Sequence, residues 1–126
     1  MNSFLVDTDV LIDFLRGYGP AVEWLRQARN RPLVSVITVA ELRAGMRAGE
    51  ESALESLFGA LLVLPVDERI ARQAGDLRRQ FGPRHGTGLA DALIAATAIV
   101  NQARLVSLNV RHYPMIDEVV QPYLKD

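Results

Sequence analysis

The stretch Ser3-Phe-Leu-Val-Asp-Thr-Asp-Val-Leu-Ile-Asp-Phe-Leu-Arg16 holds a short β-prone run, an acid at its end, and a helical pattern directly after it. Ser3 to Val6 reads as a strand. A helix follows from about Thr8 to Arg16, with Gly17 and Gly19-Pro20 stopping it. The same alternation continues outward along the chain. Ala21 to Ala28 fits a helix with Trp24 and Leu25 on its apolar side. Leu33-Val-Ser-Val36 is the next strand, Thr38 to Ala48 the next helix, and Glu50 to Phe58 is helical too. Leu61-Leu-Val-Leu64 is a strand closed by Pro65. Ile70, Ala74, Leu77 and Phe81 then repeat at helical spacing, and Gly82-Pro83 ends that helix. A loop, Arg84-His-Gly-Thr-Gly88, leads into a very apolar helix from Leu89 to about Gln102. Arg104-Leu-Val-Ser107 and Glu118-Val-Val120 complete the strands. Strands alternating with helices imply a parallel sheet covered by helices on both faces.

Composition narrows the class further. At 126 residues and 49% hydrophobic, the chain is one domain, residues 1–126, able to bury a core without staples. It has no cysteine, which excludes disulfide frameworks, thiolate zinc sites and cysteine nucleophiles together. Met1-Asn2-Ser3-Phe4 lacks the basic flank and apolar stretch of a signal peptide. The longest apolar run, Leu89 to Val100, is interrupted by Asp91 and is too short to span a bilayer. A soluble, cytoplasmic protein is expected. The formal charge of −1 supplies no overall basic field for nucleic acid. Of its 14 basic residues, all but Lys125 are arginine, a side chain suited to bidentate phosphate contacts.

In parallel sheets, ligands bind in the crevice at the carboxyl ends of the strands, so the first residues after each strand are where chemistry is sought. Asp7 immediately follows the first strand, at a helix N-terminus. A plain N-cap explains it as well as catalysis does. Glu41 lies just after the second strand, and Thr38-x-x-Glu41 matches a capping box, which taken alone is the more economical reading. Asp91 is harder to explain structurally. It sits in Gly88-Leu-Ala-Asp-Ala-Leu-Ile-Ala-Ala-Thr-Ala-Ile-Val100, the most apolar segment, where a buried carboxylate is costly unless paired or bound to metal. Three acids in one place repel unless a cation sits among them. Oxygen-only ligands suit Mg²⁺ or Mn²⁺, and the two histidines form no zinc-like pair. Such ions activate a water and stabilise charge on a phosphoryl group, so phosphodiester hydrolysis is the natural reaction class. Asp9 can reach this site. Asp13, one turn on, is positioned to pair with Arg16 as a solvated surface charge. Arg43, Arg47, Arg84 and Arg111 lie near the crevice and can hold phosphates. His112 is a further candidate for touching substrate, whereas His85 reads as a surface residue.

Together these residues resemble PIN-domain ribonucleases, specifically the VapC toxins of bacterial VapBC toxin–antitoxin pairs. The matching pieces are Leu5-Val-Asp-Thr-Asp-Val-Leu-Ile12, Ser35-Val-Ile-Thr-Val-Ala-Glu-Leu-Arg-Ala-Gly45, Leu89-Ala-Asp-Ala-Leu-Ile-Ala-Ala-Thr-Ala98 and Leu105-Val-Ser-Leu-Asn-Val-Arg-His-Tyr113. They fall in the family's order and cover essentially the whole chain. The resemblance implies a three-layer α/β/α sandwich with a central parallel sheet of about five strands. It implies an acidic Mg²⁺ or Mn²⁺ site and endonucleolytic cleavage of RNA. It also implies a homodimer, and inhibition by a short VapB-like antitoxin. By match, Asp7, Glu41 and Asp91 take the metal-ligand positions, with Thr8, Ser35 and Thr38 as polar support. Two positions depart from the family. Asp9 stands where asparagine is common, and Asn109 stands where many relatives carry another acid. Asn109 can still orient a water or an outer-shell ligand, but brings no charge.

Two other readings compete. Asp7-Thr-Asp9 after an apolar strand also resembles the opening motif of haloacid-dehalogenase-like phosphatases, but that chemistry expects a lysine deep in the fold and the only lysine is Lys125. A non-catalytic α/β interaction module explains Asp7 and Glu41 as caps and leaves Asp91 unexplained.

Overall fold

The structure, a computed structural model, describes residues 3–125. Met1 and Asn2, part of the N-terminal stretch read above, lie outside the described residues, as does Asp126. Four three-residue strands, β1 (Phe4–Val6), β2 (Leu33–Ser35), β3 (Leu62–Leu64) and β4 (Arg104–Val106), form a parallel sheet in the order β3-β2-β1-β4. Leu5 sits in register with Leu33 on one side and Leu105 on the other. Six helices make the connections: α1 (Thr8–Leu15), α2 (Gly19–Arg26), α3 (Val36–Ala44), α4 (Glu51–Ala60), α5 (Glu68–His85) and α6 (Leu89–Val100). A 3₁₀ turn, Val110–His112, follows β4.

The two-residue period of a strand sorts its side chains into two cores. Phe4, Val6, Val34 and Val106 face one side, where they meet Val10, Leu11 and Phe14 of α1, Trp24 of α2 and Leu54 and Leu57 of α4. Leu5, Leu33, Leu64 and Leu105 face the other, against Ile94, Ala95 and Ala98 of α6 and Leu77 of α5. This is the expected three-layer sandwich. Outside it, Ile70 and Ala74 of α5 pack on Ala92 and Ala96 of α6; alanines there let the two helices approach closely. No helix among the described residues is long and apolar enough to cross a membrane.

Four expectations are corrected. The sheet has four strands where about five were expected: Glu118–Val120 contributes a single parallel bridge, Val106 to Val120. Val120 N–H donates to Leu105 O at 2.8 Å and Ser107 N–H to Val120 O at 3.0 Å. The next bond of that ladder belongs to the amide of residue 122, which is Pro122 and has no N–H to give. Gly19-Pro20 opens α2 rather than closing α1, since proline in a first turn forfeits no helical bond. The fifth helix runs through Gly82-Pro83 to His85 and stops at Gly86, whose φ of 67° is the left-handed conformation that glycine adopts without strain. Pro83 is tolerated because it falls in the last turn at an exposed position, where water can take the carbonyl it leaves unpaired. Asp13 is buried rather than solvated. Tyr123 Oη–H donates to it at 2.8 Å and Lys125 Nζ at 2.6 Å, while Arg16 pairs with Glu50 instead.

Candidate active site

The three acids come from three elements: Asp7 directly after β1, Glu41 within α3, the helix that follows β2, and Asp91 in the first turn of α6. Asp7 follows β1 and is only 6% exposed. Its Oδ1 accepts from Thr8 N–H at 2.8 Å, and its Oδ2 accepts from the hydroxyls of Ser107 at 2.7 Å and Tyr113 at 2.8 Å. Burial pushes this carboxyl above the ordinary range; the Ser107, Tyr113 and Thr8 donors pull it back, and the Asp91 charge adds to the rise. Asp91 stands in the first turn of α6 with Oδ1 3.5 Å from the same Tyr113 hydroxyl. One proton serves both contacts, and the shorter one to Asp7 takes it. Tyr113 is itself 1% exposed, and burial, then the neighbouring Asp7 and Asp91 charges, hold its hydroxyl protonated far above its ordinary value.

The structure exchanges the structural readings of Glu41 and Asp91. The cap of α3 is Ser35, whose Oγ accepts from Ile37 N–H at 3.1 Å. Thr38 is therefore inside the helix and fully buried, and Glu41 serves no cap. Instead Glu41 Oε1 accepts from the Thr8 hydroxyl at 2.6 Å, and Thr38 Oγ1 lies 3.0 Å from Thr8 Oγ1, placed to donate to it in turn. Thr8, next in sequence to Asp7, thus tethers one oxygen of the exposed Glu41 beside the end of β1. Asp91, by contrast, is half-buried and does perform a capping contact, its Oδ2 accepting from Gly88 N–H at 3.1 Å. That contact uses one oxygen and leaves the other turned to Tyr113.

Asp9 and Asn109 complete the rim. Asp9 Oδ2 accepts from Leu108 N–H at 3.0 Å and Oδ1 from Val10 N–H at 2.8 Å. Burial first and the Asp7 charge second push its pKa up to about 7, against the pull of those amide donors. Asn109 is exposed and meets the site through its backbone, N–H to Ser107 Oγ at 3.0 Å. Ser107 and Tyr113 went unremarked as single residues in the sequence. Ser107 immediately follows β4 as Asp7 follows β1, so the rule that pointed to Asp7 points to it as well. For Tyr113 the sequence carries no signal, because its role depends on a turn that folds it back into the core.

Residues 4–115 match the PIN domain family. The chain belongs to that family. Similar proteins include ribonuclease VapC10 of Mycobacterium tuberculosis, 46% identical over 122 residues that cover 94% of this chain and 92% of the relative. Ribonuclease VapC19 of the same organism is 42% identical over 123 residues, 94% of this chain and 98% of the relative. A chain in a toxin–antitoxin complex from Klebsiella pneumoniae has the same fold, with a TM-score of 0.84 and 28% identity over 96% of this chain and 98% of that one. This PIN domain groups with the VapC ribonucleases, which removes the phosphatase and the non-catalytic module. Lys125, which a phosphatase would need beside Asp7, is held by Asp13.

The donor set of this PIN domain fits a hard divalent cation. Every side-chain ligand candidate is oxygen, and among the described residues no arginine or lysine pairs with Asp7, Asp9, Glu41 or Asp91. Among the described residues no three of these side chains come close enough together to hold an ion. His112 Nδ1 lies 3.6 Å from Asp91 Oδ2. Arg43 is turned outward to Glu55 at 3.5 Å, and Arg47 is exposed. Arg84 and Arg111 line a pocket with His112 on the Asp91 side.

Proposed function

We propose that this PIN domain is an endoribonuclease whose Asp7, Glu41 and Asp91 hold Mg²⁺ or Mn²⁺, and that it is the toxin of a toxin–antitoxin pair. The observation that carries the site is Asp7, almost fully buried, fixed by three donors and neutralised by no cation among the described residues. A divalent ion there supplies positive charge for the phosphoryl group and lowers the pKa of a water for attack on phosphorus. The protein's own part is positional. Ser107 and Tyr113 hold Asp7, Gly88 N–H holds Asp91, and the Thr8 hydroxyl holds one oxygen of Glu41, so each acid starts from a set orientation. Ser35 supports Glu41 indirectly, by setting where α3 begins. Asn109 is exposed at the rim, where its amide can orient water or the RNA.

The antitoxin is a short VapB-like protein encoded beside this chain, a pairing that the Klebsiella pneumoniae toxin–antitoxin complex and the VapC relatives support; on this reading the pair acts in the cytoplasm and the toxin is a homodimer. Incubation of the purified chain with cellular RNA tests the activity. Cleavage with Mg²⁺ or Mn²⁺ that stops in excess EDTA is expected, and undiminished cleavage in EDTA would sink the mechanism.

A further inference from the structure

Beside Asp91, where the last turn of α5 meets the 3₁₀ turn, Arg84, His85, Gly86, Arg111 and His112 line an open pocket of about 350 Å³. Thr87 Oγ1–H donates to His112 O at 2.8 Å, which pins the two walls together. Arg84 and Arg111 have no ion pair or hydrogen bond among the described residues, unlike Arg16 and Arg43 across the crevice, which are taken by Glu50 and Glu55. Placement of basic residues at the end of α5 complements the helix dipole, which explains Arg84 and His85. It does not explain why Arg111, from the separate 3₁₀ turn after β4, faces the same space.

We infer that this pocket binds a backbone phosphate of the RNA flanking the bond that is cut. The inference rests on the ribonuclease reading above and adds a sidedness to it. A polyanion approaching several carboxylates is repelled unless positive charge meets it on a flank. Arg84 and Arg111 gather that charge in one pocket on the Asp91 side, whereas Arg47 on the Glu41 side is a single exposed arginine, and guanidinium groups suit bidentate phosphate contact. Contacts of this kind set register and affinity rather than sequence preference.

The test uses the full chain and a fluorescein-labelled RNA containing a mapped cleavage site, at several KCl concentrations. Cleavage is followed with Mg²⁺ and binding by anisotropy in EDTA. The variants are Arg84→Gln, Arg111→Gln, the double change and the double lysine change, each checked for an unchanged melting temperature. Each glutamine variant should raise KM by roughly threefold to tenfold with kcat within about twofold. The slope of log affinity against log salt should become shallower by about 0.7 per arginine removed, and the lysine pair should keep the wild-type slope. RNA shortened on one side of the cut should abolish the difference between wild type and the double variant; shortening on the other side should not. Binding in EDTA of a labelled single-stranded RNA of arbitrary sequence reads the pocket even if the chain cleaves nothing and no site can be mapped, so failure of the ribonuclease reading and failure of this one are distinguishable. Unchanged slopes, or a fall in kcat at constant KM, overturn the inference. So does weakened binding of the neighbouring antitoxin with RNA unaffected, which assigns the pocket to protein.

Discussion

Replacing Tyr113 with phenylalanine isolates one atom of the site. The ring sits among Leu5, Ile94, Ala95 and Leu105, and Tyr113→Phe keeps that packing. What leaves is the hydroxyl that donates to Asp7 at 2.8 Å and stands 3.5 Å from Asp91. Asp7 Oδ2 then keeps Ser107 alone. A hydrogen bond to a charged group contributes about 1.5–3 kcal/mol, and loss of an outer donor to a ligand typically costs about 10–100-fold in metal affinity or activity. Calorimetric titration with Mn²⁺ should therefore show binding weakened by about tenfold or more. RNA cleavage at subsaturating Mn²⁺ should fall in parallel and recover substantially at high Mn²⁺, because the ligands themselves remain. A variant that is folded, binds Mn²⁺ within about threefold of wild type and cleaves at the wild-type rate would refute the reasoning.

Asp9 predicts a pH-dependent stability in the metal-free protein. Burial and the Asp7 charge push its folded pKa up to about 7, against 3.8 for an ordinary aspartate, so the folded state holds the proton more tightly than the unfolded chain. Stability is then full below about pH 4 and declines as pH rises through about 7, at up to about 1.4 kcal/mol per unit for one proton. Thermal melts in EDTA at pH 5 and 7.5 should differ less in Asp9→Asn than in wild type; an equal difference contradicts this. Asp13→Ala should lower stability in urea by about 1–3 kcal/mol, through loss of the Tyr123 and Lys125 contacts to a 7% exposed carboxylate. A change under about 0.5 kcal/mol would show that the clasp contributes nothing. Expression of the chain alone should arrest growth, and Asp91→Ala should relieve it; arrest by the variant at equal protein level would place the chemistry elsewhere.

The layers were legible because they rest on local periodicity. Phe4 and Val6 alternate with Leu5, and Ile70, Ala74 and Leu77 recur at helical spacing, whatever the rest of the chain does. The strand-end rule placed Asp7 directly after β1, as it is found, whereas Glu41 lies six residues beyond β2, inside α3. What sequence could not resolve is where individual hydrogen bonds fall. Ser35 and Thr38 are both competent caps three residues apart, and the choice between them decides whether Glu41 is structural or free to bind. Asp91 appeared too buried to be structural, yet it is half-buried and holds the Gly88 amide. Tyr113, Tyr123 and Lys125 act across separations of 106, 110 and 112 residues, which no local pattern encodes. The fifth strand failed at Pro122, one missing amide beyond a single bridge.

Anomalous diffraction from crystals soaked in Mn²⁺ bears most directly on the central claim. A single strong peak within ligand distance of carboxylate oxygens of Asp7, Glu41 and Asp91, absent in Asp7→Asn, is the predicted result. No peak in the crevice under saturating Mn²⁺, or a peak that survives Asp7→Asn unchanged, would contradict it.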